Sequence, residues 1–230
     1  MDGTALLATG RFSSLRPGSG LPPGWRPLTF PKISRHTRYL LVEDQGVTVV
    51  KAESDASASA LIRQVDIDPA RHPVLRWRWK ITALLPGSDI HRKDGDDYPA
   101  RLYITFAYDA GHMSLGRRLR YQAARLIHGD IPAAALNYVW ARRAPPGTVT
   151  PNAYTDFTRM IVVESGPTHV GQWREEQRNV REDFQRAFGF PPPRITGVAI
   201  MTDSDDTGGR ATAYYGDIAF LPLTYEKTPH

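Results

Sequence analysis

In Val74-Leu75-Arg76-Trp77-Arg78-Trp79-Lys80-Ile81, apolar and basic side chains alternate through eight positions. Strand geometry turns successive side chains to opposite faces, so Leu75, Trp77, Trp79 and Ile81 share one face and Arg76, Arg78 and Lys80 the other. Burying each tryptophan is worth roughly 1.5–3 kcal/mol or more, which makes that face core and leaves the basic face to solvent or a groove. A chain that must hide this face needs a second layer opposite it.

The rest of the sequence supplies layers of the same kind. Trp25–Phe30, Tyr39–Val42, Val47–Ala52, Ser59–Ile67, Ala100–Tyr108, Leu136–Ala141 and Arg159–Glu164 read as strands, and Glu43-Asp44-Gln45-Gly46 reads as a hairpin turn. Nineteen glycines and nineteen prolines suit many short strands joined by turns. One longer helix is expected over Gln172–Phe188, with Trp173, Val180, Phe184, Ala187 and Phe188 on its apolar face, Gly189 as its stop and Pro191–Pro193 beyond. A short surface helix is expected over Leu115–Ile127. No alternating strand–helix rhythm appears. The expected fold is therefore all-β dominated, a two-sheet antiparallel β-sandwich of the jelly-roll kind with one longer and one short helix. Residues 1–24 read as an irregular N-terminal segment, 25–224 as a single sandwich domain, and 225–230 as a C-terminal tail.

Several function classes drop out on composition. The net charge of +5 is spread out apart from Arg117, Arg118, Arg120 and Arg125, which is not the dense basic stripe of a nucleic-acid binder. The helix carrying those arginines could instead meet a protein partner, although a solvated face is the commoner use of such charges. With no cysteine there is no thiol nucleophile, thiolate metal site or disulfide scaffold. No apolar run approaches the roughly 18 residues of a membrane helix. The start lacks the basic n-region and long apolar stretch of a secretory signal, so the expectation is a cytoplasmic protein, or a periplasmic one if a leader has been removed. Seven scattered histidines show no metal-ligand spacing, and no Gly-x-Ser-x-Gly or phosphate-cradling loop occurs.

The remaining chemistry is acidic. Gly197–Phe220 reads as a strand, an acidic loop from Asp203 to Gly209, and a return strand forming the closing hairpin. Asp203, Asp205 and Asp206 offer clustered oxygen ligands for a structural calcium, although Tyr214 stands where an EF-hand would need its bidentate glutamate. Asx-turns and pairing with Arg210 are the plainer use of these aspartates. Asp96 and Asp97 point to opposite faces of a strand, so only one of them, with Asp203 or Asp217, could form an acid/base pair. Arg78, Lys80, Arg101, Tyr103, Arg178, Asn179 and Asp183 form the candidate ligand-binding set, since arginines and amides bind hydroxyls and carboxylates.

The order of these features resembles a family of bacterial proteins catalogued as a domain of unknown function, the three thousand and forty-seventh of its series. The resemblance rests on Leu75–Lys80, Asp96–Tyr103, Leu136–Trp140, Glu176–Phe184, Met201–Gly209 and Tyr215–Ile218. It implies a family but no activity, and members often carry an export leader. More loosely, the last third is similar to the closing strands of galactose-binding-like jelly rolls such as carbohydrate-binding modules. Together these features favour a non-catalytic binder of a carbohydrate or other polar or anionic small molecule, with no nucleic-acid partner. The alternative is a glycan-acting hydrolase or lyase using Asp96 or Asp97 with Asp203.

Overall fold

The computed structural model describes residues 6–109, 111, 116 and 134–223. Its strands in chain order are β1 (Leu7–Gly10), β2 (Trp25–Leu28), β3 (Arg38–Asp44), β4 (Val47–Asp55), β5 (Ala60–Ile67), β6 (Val74–Ile81) and β7 (Arg101–Phe106). After these come β8 (Ala134–Ala141), β9 (Val149–Pro151), β10 (Thr158–Ser165), β11 (Arg174–Asn179), the helix α1 (Val180–Phe188), β12 (Ile195–Met201) and β13 (Arg210–Leu221). A six-stranded sheet has the order β11-β6-β13-β4-β3, with β1 also paired to β13. A seven-stranded sheet has the order β2-β5-β12-β7-β8-β10-β9. The two form a β-sandwich of the jelly-roll kind. Every pairing is antiparallel except β8 with β10, which run parallel.

Between the sheets lies one main core. Leu75, Trp77, Trp79 and Ile81 of β6 face Leu102, Ile104 and Phe106 of β7 and Leu136, Tyr138 and Trp140 of β8. Trp77 meets Tyr138 at 5.3 Å between ring centroids, and Trp79 meets Trp140 at 6.2 Å. The turn between β3 and β4 has Gln45 and Gly46 at φ 54° and 78°, the left-handed pair that a tight hairpin requires. None of the described helices is long and apolar enough to cross a membrane.

Three expectations change. The N-terminal segment is not wholly irregular, because β1 pairs with β13 and Phe12 is fully buried. The helix expected over Gln172–Phe188 begins only at Val180, because Arg174–Asn179 pairs along the open edge of β6 as β11. Backbone hydrogen bonds to a neighbouring strand outweigh the few tenths of a kcal/mol that i,i+4 charge pairs give a helix. Finally, Gly197–Phe220 is not a hairpin. β12 lies in the seven-stranded sheet and β13 in the six-stranded one, so the acidic loop carries the chain from one sheet to the other. The short helix expected over Leu115–Ile127, with its arginines, lies almost wholly outside the described residues, as does the C-terminal tail.

Candidate functional site

The crossing loop meets the loop that precedes β7. β12 pairs with β7 so that Met201 lies opposite Arg101, and both side chains point away from the core. Asp203, two residues further on, falls beside Arg101. The preceding loop is folded tightly on itself: Asp89 N–H donates to the Gly95 carbonyl at 2.8 Å, and a Cβ on Gly95 would lie 2.9 Å from Asp89 N. This compact turn delivers Asp96 and Asp97 to the same place.

Arg101 is 2% exposed and Asp203 also 2%. Arg101 Nε donates to Asp203 Oδ1 at 2.8 Å, and Nη2 donates to Asp203 Oδ2 and to the Asp96 carbonyl. Nη1 donates to the Tyr103 hydroxyl at 3.2 Å and lies 3.5 Å from Asp96 Oδ1. The guanidinium also stands 4.4 Å over the Tyr98 ring. Asp203 Oδ1 accepts a further bond from Tyr98 N–H at 3.1 Å. Fully buried Asp97 accepts from the backbone N–H groups of Asp206 at 3.3 Å and Thr207 at 2.6 Å, which fixes the crossing loop against the first loop.

The cluster holds more carboxylate than its one guanidinium neutralises. Burial pushes the Asp203 carboxyl well above the usual range, a push that Arg101 opposes and Asp97 reinforces. Burial also raises Asp205 and Asp206, with Asp97 adding to both. The nearest carboxylate oxygens of Asp97, Asp203 and Asp205 lie within 4.8 Å of one another. This is close to the metal set expected from the sequence, with Asp97 in place of Asp206. The Asp206 side chain instead binds the Tyr154 hydroxyl at 2.7 Å.

The network continues along the outer face of the seven-stranded sheet. Asn152 Nδ2 donates to Asp96 Oδ2 at 2.8 Å, and Asn137 Nδ2 lies 3.2 Å from Met160 Sδ. Asn137 is fully buried and its Oδ1 has no hydrogen-bond partner, which costs about 1–3 kcal/mol unless something else fills the gap. Burial lifts the Tyr103 phenol to about 12. At the rim, Tyr154 is 56% exposed, and its hydroxyl also reaches the Lys93 carbonyl at 3.1 Å. Asn152 and Tyr154 went unnoticed in the sequence. They sit between β9 and β10, far along the chain from either acidic loop, and carry no motif of their own.

The seven ligand-binding candidates fall in three places. Arg101 and Tyr103 belong to the site just described. Arg78 and Lys80 lie on the outer face of the other sheet, because β6 and β7 belong to different sheets. There Lys80 Nζ binds Asp44 at 2.6 Å, Trp173 Nε1 donates to Asp44 Oδ2 at 2.7 Å, and Arg78 stacks 4.5 Å over the Trp173 ring. Arg178, Asn179 and Asp183 close the sandwich edge at β11. Buried Asp183 accepts from Arg178 Nε at 2.8 Å and from the Tyr138 hydroxyl at 2.9 Å. Asn179 Oδ1 caps α1 by accepting from Glu182 N–H at 3.2 Å. Arg210, expected to serve the acidic loop, binds Asp55 at 3.2 Å instead.

A family model described as "Protein of unknown function (DUF3047)" matches residues 23–219. The chain belongs to the DUF3047 family. The match takes in Arg101, Asp203 and every other residue of the DUF3047 site described above. No curated protein matches this DUF3047 chain. Among solved structures it is similar to the family 11 carbohydrate-binding module of cellulosomal cellulase Lic26A-Cel5E of Clostridium thermocellum, at 8% identity and TM-score 0.46, covering 98% of this chain and 99% of that one. A structure of the family 11 module from Clostridium thermocellum with a β-1,3-1,4-mixed-linked tetrasaccharide aligns at 9% identity and TM-score 0.46, over 97% and 99% of the two chains. The Trichoderma harzianum endoglucanase 3 of family GH12 aligns at 11% identity and TM-score 0.42, over 96% and 95%.

Proposed function

We propose that this DUF3047 protein is a non-catalytic binder of a carbohydrate or related polar ligand, held at the acidic end of the seven-stranded sheet. The observation that carries the reading is the half-buried rim of the acidic cluster, where Asn152 and Asp206 each bond to the exposed Tyr154. A sugar needs both parts: an aromatic face to stack on and oriented polar groups for its hydroxyls. The enzymatic alternative has less support. A general acid or base must come within hydrogen-bond reach of the substrate, whereas Asp97 and Asp203 are buried and already committed to backbone N–H groups and to Arg101.

The test is a titration of the full chain against a panel of neutral and acidic oligosaccharides, with Tyr154→Ala alongside. Binding that weakens about tenfold in the variant, with unchanged melting and no release of reducing ends, is the expected result. A panel with no binder, or a variant that binds as tightly as the parent, overturns it.

Calcium at Asp97, Asp203 and Asp205 belongs to the same proposal. The carboxylate excess around a single arginine favours a divalent cation, and carboxylates, carbonyls and water together supply the six to eight oxygens that calcium takes. Its place would be structural, fastening the crossing loop to the loop before β7.

A further inference from the structure

The loop before β7 and the turn after β8 enclose a cleft of about 490 Å³, within the roughly 300–1,000 Å³ of small-molecule sites. Its lining includes Arg92, Arg142 and Arg143 against a single carboxylate, Asp89. Arg92 is paired with Asp94, and Asp89 accepts from the backbone N–H of His91 at 3.0 Å. Arg142 and Arg143 have no acidic partner among the described residues. Tyr98 and Ser88 also line it; Tyr98 is fully buried and Ser88 is 5% exposed, and neither the Tyr98 hydroxyl nor Ser88 Oγ has a hydrogen-bond partner. Ile90, Ala141 and Ala144 supply an apolar wall.

Two arginines without an acidic partner among the described residues, together with two buried, unanswered hydroxyls, form a lining short of acceptors. A phenol and a serine hydroxyl each have a proton to donate, and an arginine fork is shaped for carboxylate, sulfate or phosphate oxygens. Asp89, the one carboxylate in the lining, pairs with neither arginine among the described residues. We propose that it is a second binding site, for a small polyhydroxylated anion: a sugar-sized body bearing a phosphate, sulfate or carboxylate head. The head pairs with Arg142 and Arg143, the buried hydroxyls of Tyr98 and Ser88 donate to the ligand's oxygens, and the body lies on the apolar wall. The inference stands apart from the reading of the Tyr154 site, since it uses none of that site's ligand contacts.

Calorimetric titration of the full chain at low salt tests it, with glucose 6-phosphate, glucuronate and neutral glucose as probes. At least one anion should bind, glucose should not, and added salt should weaken the binding. The Arg142→Ala/Arg143→Ala double variant, altered only at the rim, should lose about tenfold or more in affinity. Tyr98→Phe should also bind more weakly while melting no lower than the parent, because the hydroxyl it removes has no partner within the protein. Tyr154→Ala should leave this binding untouched. The proposal is overturned if neither anion binds, if glucose binds as well as they do, or if the double variant keeps the parent affinity. The two anion arms distinguish a phosphate from a carboxylate head.

Discussion

Arg101 and Asp203 stand 102 residues apart in the chain and share a two-pronged ion pair from which water is almost wholly excluded. The pair joins the start of β7 to the end of β12, and through the Asp96 carbonyl it also fixes the loop between β6 and β7. Removing one member leaves the other buried without its counter-charge, which costs about 3–5 kcal/mol in comparable buried pairs. Arg101→Met is therefore expected to lower unfolding stability by about that amount in urea titrations. Arg101→Lys should recover little, since an ammonium cannot span both carboxylate oxygens and the carbonyl. Parent-like stability in the lysine variant would sink this account of the pair.

The carboxylates around that pair set the next expectation. With Asp97, Asp203 and Asp205 within 4.8 Å of one another, calcium should raise the melting temperature and a chelator should return it to the metal-free value. An excess of calcium about a hundredfold above its Kd stabilises by about 2.7 kcal/mol. Asp205→Asn, which changes the most exposed of the three ligands, should abolish the response without lowering metal-free stability. A calcium-independent melting curve for the parent chain counts against the site.

Much of the sandwich was legible because its signal is local. The alternation in Val74–Ile81 assigns its core face, and Leu75, Trp77, Trp79 and Ile81 are all buried where it puts them. The pairing of strands is not local, so Arg78 and Lys80 of β6 stand in one candidate set with Arg101 and Tyr103 of β7, although the two strands lie in different sheets. The acidic loop and Asp96, Asp97 and Arg101 could each be picked out as candidates, but their meeting depends on the β12–β7 register, which no short motif encodes. Asn152 and Tyr154 reach the site only through a turn between short strands. The edge strand β11 hid inside a helical pattern because Arg174–Asn179 is polar throughout and shows no alternation of apolar and polar residues.

A local signal for the true start of that helix was nonetheless present. Asn179-Val180-Arg181-Glu182 has the residue types of a capping box, and Asn179 Nδ2 returns a bond to Glu182 Oε1 at 2.8 Å. Both polar ends of the Asn179 side chain are thus committed to the start of the helix. Asn179→Ala should cost about 1 kcal/mol of stability and leave every ligand affinity unchanged, whereas Asn179→Ser or Asn179→Asp should keep most of the stability. Thermal melts paired with the oligosaccharide titration separate the two roles, and a loss of affinity without a loss of stability would restore Asn179 to the ligand-binding set.

Glu176, on the core side of the same edge strand, gives the fold a pH dependence. Its carboxyl accepts from Trp79 Nε1 at 3.2 Å, and burial, reinforced by Glu164, lifts its pKa to about 7 from an ordinary 4.5. A carboxyl raised on folding binds its proton more tightly in the native state, so the stability it contributes is complete below the unfolded value. That contribution is lost as pH rises through about 7. The full shift corresponds to at most about 3 kcal/mol. Glu176→Gln keeps an acceptor for the indole and removes the titration, so the variant should match the parent near pH 4 and exceed it above pH 7. The difference between their urea-unfolding free energies should therefore grow across that interval, and a difference that stays flat with pH would place the titration elsewhere.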